Sequence, residues 1–327
     1  MSNLVLYRKY RPKTFGEISG QQHIVQTLAN AIKNGQLAHA YLFCGPRGTG
    51  KTTMARLVAK AANCEALGKN DFEPCNKCMS CQSIANGNAL DVIEIDAASN
   101  RGVNEIRELR EGVQFAPTAL KHKVFIIDEV HMLTKEAFNA LLKTLEEPPS
   151  HVMFVLATTE SSKVPATILS RCQRFDFRKL SIEDIVDRLK KLAKKEELKC
   201  DDDVIRFIAM ISDGGLRDAE SLLGQVISIS GKNINLETVQ DVLGVADMKD
   251  IYSFVDLLVE NNSANVFKFV NELHSKGKDI GEFVRAASNY LRKMMVCQID
   301  NSLINVVAKD MTKEQQANLC AQASKMD

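Results

Sequence analysis

The sequence has almost no net charge: 42 lysines and arginines stand against 41 aspartates and glutamates, leaving +1. That balance excludes tight, autonomous binding of nucleic acid by the bulk field of the chain, so any such contact has to be local or shared. No apolar run is long enough to cross a bilayer, and the opening residues Met1 to Tyr10 hold neither the apolar centre of a secretory leader nor a lipidation signature. A cytoplasmic protein with no membrane contact is the expectation. Internal repeats and low-complexity tracts are also lacking. What is present, 45% hydrophobic and 25% charged residues over 327 positions, describes an ordinary globular chain of two or three domains.

In the first half, short apolar runs alternate with helical spacing. His39 to Cys44, Val92 to Ile95, Val124 to Ile127, Val152 to Ala157 and Arg174 to Phe177 read as buried strands, and the alternation predicts a parallel sheet in an α/β domain. Thr134 reads as the N-cap of a helix that presents Ala137, Leu141, Leu142 and Leu145 on one face. After Phe177 the spacing is helical throughout. Ser181 to Asp184 resembles a capping box, Ile185, Leu189 and Leu192 share a face, and Gly214-Gly215 interrupts the later helices. The predicted domains are 1–179, a helical 180–242, and a helical 243–327 that ends without a closing element.

Gly45-Pro-Arg-Gly48-Thr49-Gly50-Lys51-Thr52 fits the phosphate-loop pattern in full, after an apolar strand and before a helix. Glycines at these positions let backbone N–H groups curl around phosphate oxygens, Lys51 adds a positive charge, and Thr52 can ligate Mg²⁺. The phosphate-contacting set is therefore Gly45, Gly48, Thr49, Gly50, Lys51, Thr52 and Thr53. A second strand, Val124 to Ile127, ends in Asp128-Glu129. Two acids at the polar end of a buried strand need a cation and a task, Asp128 to hold Mg²⁺ and Glu129 to polarise an attacking water. A third strand delivers Thr158 and Thr159, either of which could bond the terminal phosphate or that water.

Nine cysteines in such a chain suit reduced thiols or metal ligands better than disulfides. Cys64, Cys75, Cys78 and Cys81 are spaced C-x10-C-x2-C-x2-C. Four thiolates fit tetrahedral Zn²⁺, although the first interval is long. An iron–sulfur cluster is a second reading, weakened by the missing Cys-Pro, and free thiols are a third. Cys44, Cys172 and Cys200 read as small buried residues.

Several further motifs fall in a familiar order: Tyr7-Arg-Lys-Tyr-Arg-Pro12, Phe15, Gly20-Gln21, Asp96 to Gly102, Asp128-Glu129-Val-His131, Leu145 to Pro149 and Ser170-Arg171-Cys172. Together they resemble the clamp-loader clade of AAA+ ATPases, and in particular the gamma/tau family of bacterial DNA polymerase III, over essentially the whole chain. The resemblance implies an AAA+ P-loop domain with a zinc module at 64–81, then a lid, then a collar that looks incomplete here. It implies that Arg171 reaches into the nucleotide site of an adjacent subunit, and that Arg217, in Gly215-Leu-Arg-Asp-Ala, contacts the γ-phosphate of its own. Arg11 would approach the triphosphate, and Tyr7 to Tyr10 the adenine.

The implied activity is hydrolysis of Mg-ATP to open a sliding clamp and place it on primed DNA, within a DNA-directed DNA polymerase holoenzyme. The implied partners are delta and delta-prime subunits, further copies of the chain, the clamp, primer-template DNA, and the polymerase core only where a C-terminal extension exists. Two alternatives are a non-hydrolysing stator, disfavoured by Lys51, Thr52 and Glu129, and another AAA+ motor such as a branch-migration helicase, disfavoured by Ser-Arg-Cys and the cysteine insertion. The basic run Lys190, Lys191, Lys194 and Lys195 reads as a solvated helix face.

Overall fold

The computed structural model describes residues 5–68, 70–236, 238–239, 248–260, 262–308, 311 and 313–325. The expected boundary at 242/243 lies outside them. The chain divides into two compact units, Met1–Gln225 and Val226–Asp327.

The first unit is built on five strands, β1 Ala40–Cys44, β2 Val92–Asp96, β3 Lys123–Asp128, β4 Val152–Thr158 and β5 Gln173–Asp176. All pair in parallel, in the order β2-β3-β4-β1-β5. The helices before the lid region are α1 Leu6–Lys9, α2 Gln22–Lys33, α3 Lys51–Asn63, α4 Met79–Asn86, α5 Val103–Val113, α6 Lys135–Glu146 and α7 Ala166–Leu169.

Side chains that alternate along each strand feed two separate cores, because successive residues point to opposite faces. On one face Tyr41, Phe43, Val124, Ile126 and Val155 pack with Met54, Leu57 and Val58 of α3 and Leu28 of α2. On the other, Leu42, Phe125, Ile127, Phe154 and Leu156 pack with Ile106 and Leu109 of α5 and Leu141 and Leu145 of α6. The result is the sheet covered by helices on both faces that the continuous apolar runs predict. Thr134 caps α6 as expected, its hydroxyl accepting the Ala137 N–H at 3.2 Å. Strand β5 lies one residue earlier than the sequence suggests, yet Phe177 still donates its N–H to Cys44 O at 2.7 Å, so the pairing outlasts the regular strand.

Three longer helices follow, α8 Ile182–Lys195, α9 Asp202–Ile211 and α10 Leu216–Ser230. Ser181 caps α8 through the Asp184 N–H, and Ile185, Leu189 and Leu192 turn inward as their spacing predicts. The opposite face carries Lys190, Lys191, Lys194 and Lys195, all exposed. A buried ion pair joins α8 to α10, with Arg188 Nε 3.0 Å from Glu220 Oε1, and the same guanidinium donates to Tyr10 O.

The second unit is helical apart from the two-residue strand Asn233–Ile234. Met248–Val259, Ser263–Ser275, Ile280–Ile299 and Lys313–Ala323 enclose a core of Ile251, Val255, Leu273, Phe283, Tyr290, Met294 and Leu319. Within it Tyr290 donates its hydroxyl to Gln322 Oε1 at 2.6 Å.

Candidate functional site

The C-terminal ends of β1, β3 and β4 converge, because the parallel register sets Cys44 beside Thr158 and Ile127 beside Leu156. Loops leaving these ends are where a wound α/β sheet offers a ligand crevice. The loop after β1 runs from Gly45 to Gly50 with left-handed φ at Gly45, Gly48 and Gly50. At Gly45 the geometry requires glycine, since a Cβ there would lie 2.4 Å from the Phe177 carbonyl oxygen. At Gly48 the loop meets the start of α10, where Gly215 Cα would stand 3.2 Å from an added Cβ, and Arg217 N–H donates to Gly48 O at 3.4 Å.

Helix α3 begins at Lys51 without a side-chain cap, so its first N–H groups face the loop. Lys51 is buried and donates to Gly45 O and Pro46 O, each at 2.8 Å. Burial holds its ammonium below the ordinary range, against the opposing pull of Glu129 and Asp128. Thr52, one residue on, donates its hydroxyl to Asp128 Oδ2 at 2.6 Å, joining the loop to the end of β3. Thr49 is occupied within the loop, bonding Pro46 O at 2.8 Å, and Thr53 is half-buried on α3.

Glu129 follows Asp128 in a left-handed conformation, φ 48, that turns its carboxylate toward β4. There Thr159 donates its hydroxyl to Glu129 Oε2 at 2.9 Å and its N–H to the same oxygen at 3.3 Å. Thr158 points elsewhere: it is fully buried, with Oγ1 3.0 Å from His131 Nδ1 and accepting the Glu160 N–H at 3.0 Å. The two threonines are thus separated by their partners. His131, present in the sequence pattern but given no role there, lies 3.4 Å from both Glu129 Oε2 and Glu160 Oε1.

Arg217 stacks its guanidinium over the Tyr7 ring at 4.6 Å, with Nη2 3.5 Å from the phenol oxygen. This cation holds the Tyr7 phenol below its ordinary pKa. Arg11 is half-buried, and its guanidinium has no hydrogen-bond or ion-pair partner among the described residues. Burial and the positive charges of Arg56, Arg217 and Arg8 lower its pKa, with only Glu94 opposing, though an arginine stays charged. Arg56 itself is paired bidentately to Glu94 at 2.7 and 2.9 Å. Arg171 is not part of this group. It follows α7 and bonds Thr167 O, Ser170 Oγ and the Glu146 carboxylate.

A cavity of about 340 Å³, lined by Leu37, His39, His122 and Pro149 among others, opens at the N-terminal ends of the strands, away from all these groups.

Cys64, just past α3, Cys75 in the loop before α4, and Cys78 and Cys81 at the start of α4 bring their sulfurs within 4.8 Å of one another. Cys75 Sγ and Cys81 Sγ are 3.9 Å apart, close to the ~3.8 Å edge of a tetrahedron with zinc–sulfur bonds of ~2.3 Å. The donor set therefore fits one tetrahedral ion. Backbone N–H groups of Lys77 and Cys78 point at Cys75 Sγ at 3.4 and 3.3 Å, and hold its thiol down at about 6. Cys64 and Cys81 are raised by burial instead. Cys44 is buried, whereas Cys172 and Cys200 are half-buried, less than their small size suggested; burial pushes the Cys172 thiol up to about 12.

Sequence reasoning missed Glu73 and Lys60. The Glu73 carboxylate accepts the Phe15 and Gly16 N–H groups, each at 2.8 Å, and buried Lys60 donates to Lys13 O at 3.0 Å and to the Asn76 side chain. Neither residue sits in a motif, and only the fold brings them to the N-terminal segment.

A phosphate loop after β1, an acidic pair at the end of β3, the polar end of β4 between them and a helical region after the sheet define an AAA+ P-loop fold. Solved structures agree. The RuvB Holliday junction branch migration motor of Thermotoga maritima and one of its point mutants match with TM-scores of 0.52 and 0.54 over 82% of this chain and 86% of theirs, at 21% identity, which speaks for the fold alone.

The sequence comparisons go further. Residues 20–181 match the family described as "DNA polymerase III, delta subunit", 184–232 the "DNA polymerase III clamp loader subunit, ATPase lid domain", and 234–327 "DNA polymerase III subunits gamma and tau domain III". The chain is 48% identical to the DNA polymerase III subunit tau of Bacillus subtilis, over 94% of its own length and 54% of that protein's. It is 44% identical to the tau subunit of Escherichia coli, over 85% and 43%. It is also 44% identical to the gamma subunit of Buchnera aphidicola subsp. Schizaphis graminum, over 85% and 76%. The chain belongs to the DNA polymerase III gamma/tau family. It spans about half the length of the tau proteins it matches.

Proposed function

We propose that the chain is the ATP-binding motor subunit of a clamp loader, which hydrolyses Mg-ATP to open a sliding clamp and place it on primed DNA. The observation that carries this reading is the 2.6 Å bond from Thr52 to Asp128, which couples the phosphate loop to the acidic strand end beside Lys51 and Glu129. Thr52 and Asp128 would hold Mg²⁺, whose chemistry is to neutralise charge on the phosphate oxygens. Lys51, the loop amides from Gly45 to Thr53, Arg217 and Arg11 bind and orient the triphosphate. Glu129 holds the attacking water, and Thr159, bonded to Glu129, is the first sensor, while Thr158 fixes His131 behind it.

Arg171 is a finger for the site of an adjacent subunit, a reading supported by its bonds to Glu146 and Thr167 rather than to the loop of its own chain. The cysteines hold a structural Zn²⁺ and leave no ligand position open for catalysis. We assign 1–179 to the ATPase domain, 180–242 to the lid and 243–327 to the collar. The partners are delta, delta-prime and further gamma/tau subunits, the clamp and primer-template DNA, with the polymerase core a partner only where a C-terminal extension exists. The setting is the cytoplasm, and among the described residues no helix is long and apolar enough to cross a membrane.

The test is ATP hydrolysis with and without primed DNA, clamp and partner subunits, for the wild-type chain, Lys51→Ala and Arg171→Ala. Stimulation lost in both variants, with ATP binding lost only in Lys51→Ala, is the expected result. No hydrolysis by the wild type in any combination would point to a stator instead.

A further inference from the structure

The stretch that carries the four cysteines does more than gather them: it holds the N-terminal segment by its backbone. The turn Phe15–Glu17 has an N-cap, Thr14, whose side chain makes no capping bond. Its first N–H groups are taken instead by Glu73, from 57 and 58 residues away, with Oε1 on Gly16 and Oε2 on Phe15. Glu73 stands two residues before Cys75. Its neighbour Phe72 packs its ring 6.0 Å from that of the fully buried Phe15, and the Lys33 ammonium lies over the Phe72 ring at 5.0 Å. A second tie comes from Lys60, whose buried ammonium bonds Lys13 O and the side chain of Asn76, the residue next to Cys75.

The held segment leads straight to the nucleotide cleft. One residue, Pro12, separates Lys13 from Arg11, and proline's fixed φ transmits position along so short a stretch. Arg11 is half-buried there among Arg8, Arg56 and Arg217, a placement that electrostatic repulsion opposes. It stays because the backbone on its C-terminal side is fixed by Glu73 and Lys60, and because Tyr10 O, on the other side, is held by Arg188.

We infer that Glu73 is a positioning residue: it latches the N-terminal segment to the cysteine module and so holds Arg11 in the triphosphate cleft. This rests on the nucleotide reading above. A carboxylate is needed because both of its oxygens accept N–H groups. An amide offers one acceptor and turns an N–H₂ group toward the second donor.

The experiment uses the full chain, Mg²⁺ and a non-hydrolysable ATP analogue, followed by titration calorimetry, with zinc content and tryptic cleavage after Lys13 measured on the same samples. Glu73→Gln is expected to keep its zinc, bind the analogue about tenfold more weakly, as loss of a charge-assisted bond implies, and be cut faster after Lys13. Arg11→Ala should weaken binding similarly, and the double variant should be no worse than Arg11→Ala alone, because both act through one arginine. Wild-type affinity in Glu73→Gln, additive losses, or loss of zinc from that variant would each overturn the latch. A wild-type chain that fails to bind the analogue would instead sink the nucleotide reading, and the cleavage rate would still decide whether the latch exists.

Discussion

Thr159 gives both its hydroxyl and its N–H to a single carboxylate oxygen of Glu129, at 2.9 and 3.3 Å, so the glutamate's orientation is set by the end of the neighbouring strand. A carboxylate held in this way is not aimed by its own rotamer alone. The bond competes with any water the carboxylate would polarise in the proposed mechanism, and a ligand that drew Thr159 away would release it.

Substitutions at these two residues should therefore separate binding from chemistry. Glu129→Gln is expected to bind Mg-ATP within a factor of about two of wild type and to lose roughly 10² to 10⁴ in turnover, the usual contribution of a positioned base. Thr159→Val should lose about tenfold in turnover with little change in affinity, the effect of one bond to a charged group. Steady-state hydrolysis beside equilibrium binding measures both. A Thr159→Val chain with unaltered turnover would remove it from the mechanism.

Asp91 supports the sheet from behind the site. Buried just before β2, it accepts the N–H groups of Thr118, Ala119 and Leu120, at 2.8, 2.8 and 3.0 Å, and so fixes the loop that enters β3. Burial alone would raise its pKa, but the three bonds win and the folded value lies below the ordinary 3.8. A lowered carboxyl stabilises the fold fully above the unfolded value, and the gain is lost as pH falls through the folded one. Asp91→Asn should cost about 2–4 kcal/mol at pH 7, because one amide oxygen cannot serve three donors. Chemical denaturation should show the gap to wild type narrowing below pH 4; a gap constant down to pH 3 would contradict the assignment.

The cysteine module makes a prediction of the same pH sense for its ligand, in a higher pH window. Cys75 is ready as a thiolate near neutrality, with its pKa at about 6, whereas Cys64 and Cys81, raised by burial, must give up protons when Zn²⁺ binds. Affinity for Zn²⁺ should rise with pH from 6 to 8, and binding should release protons that an indicator dye detects. Chelation is expected to lower the melting temperature and expose the thiols to reagent. Binding independent of pH would argue against a thiolate site.

Much of this was legible from sequence for a physical reason. Parallel strands buried on both faces carry unbroken apolar runs, so β1, β3 and β4 were read to within a residue or so, and the phosphate loop and the acidic pair sit at the ends of β1 and β3 by rule; β2 and β5, expected to be buried, are edge strands that leave Glu94, Gln173, Arg174 and Asp176 exposed. Thr158 and Thr159 could not be told apart, because adjacent residues at a strand end differ only in which face they meet, and that depends on His131 and Glu129 arriving from β3. Glu73, Lys60 and the Arg188–Glu220 pair were invisible for a related reason: the bonds Glu73–Phe15, Lys60–Lys13 and Arg188–Glu220 each span 32 residues or more, and the partner is often a backbone group with no sequence signature. Lys60 in particular reads as one more lysine on an amphipathic helix, yet it is buried.

Arg171 gives the sharpest contrast between chain and assembly. Its guanidinium is held by Thr167 O, Ser170 Oγ and Glu146, at the end of α6 and around α7, and none of these groups belongs to the cluster of Lys51, Thr52, Asp128 and Glu129. An arginine that serves a neighbouring site would first have to release its pair with the exposed Glu146. Such a pair is worth at most about 1 kcal/mol, so a triphosphate in an adjacent site can displace it. Arg171→Ala should leave slow hydrolysis by the isolated chain unchanged and remove roughly 10³ to 10⁵ of the stimulated rate in the assembled complex. Mixing wild type with a Lys51→Ala, Arg171→Ala double variant refines the test. A subunit with neither a site nor a finger silences its wild-type neighbour if the finger acts between chains, and leaves it active if the finger acts within one.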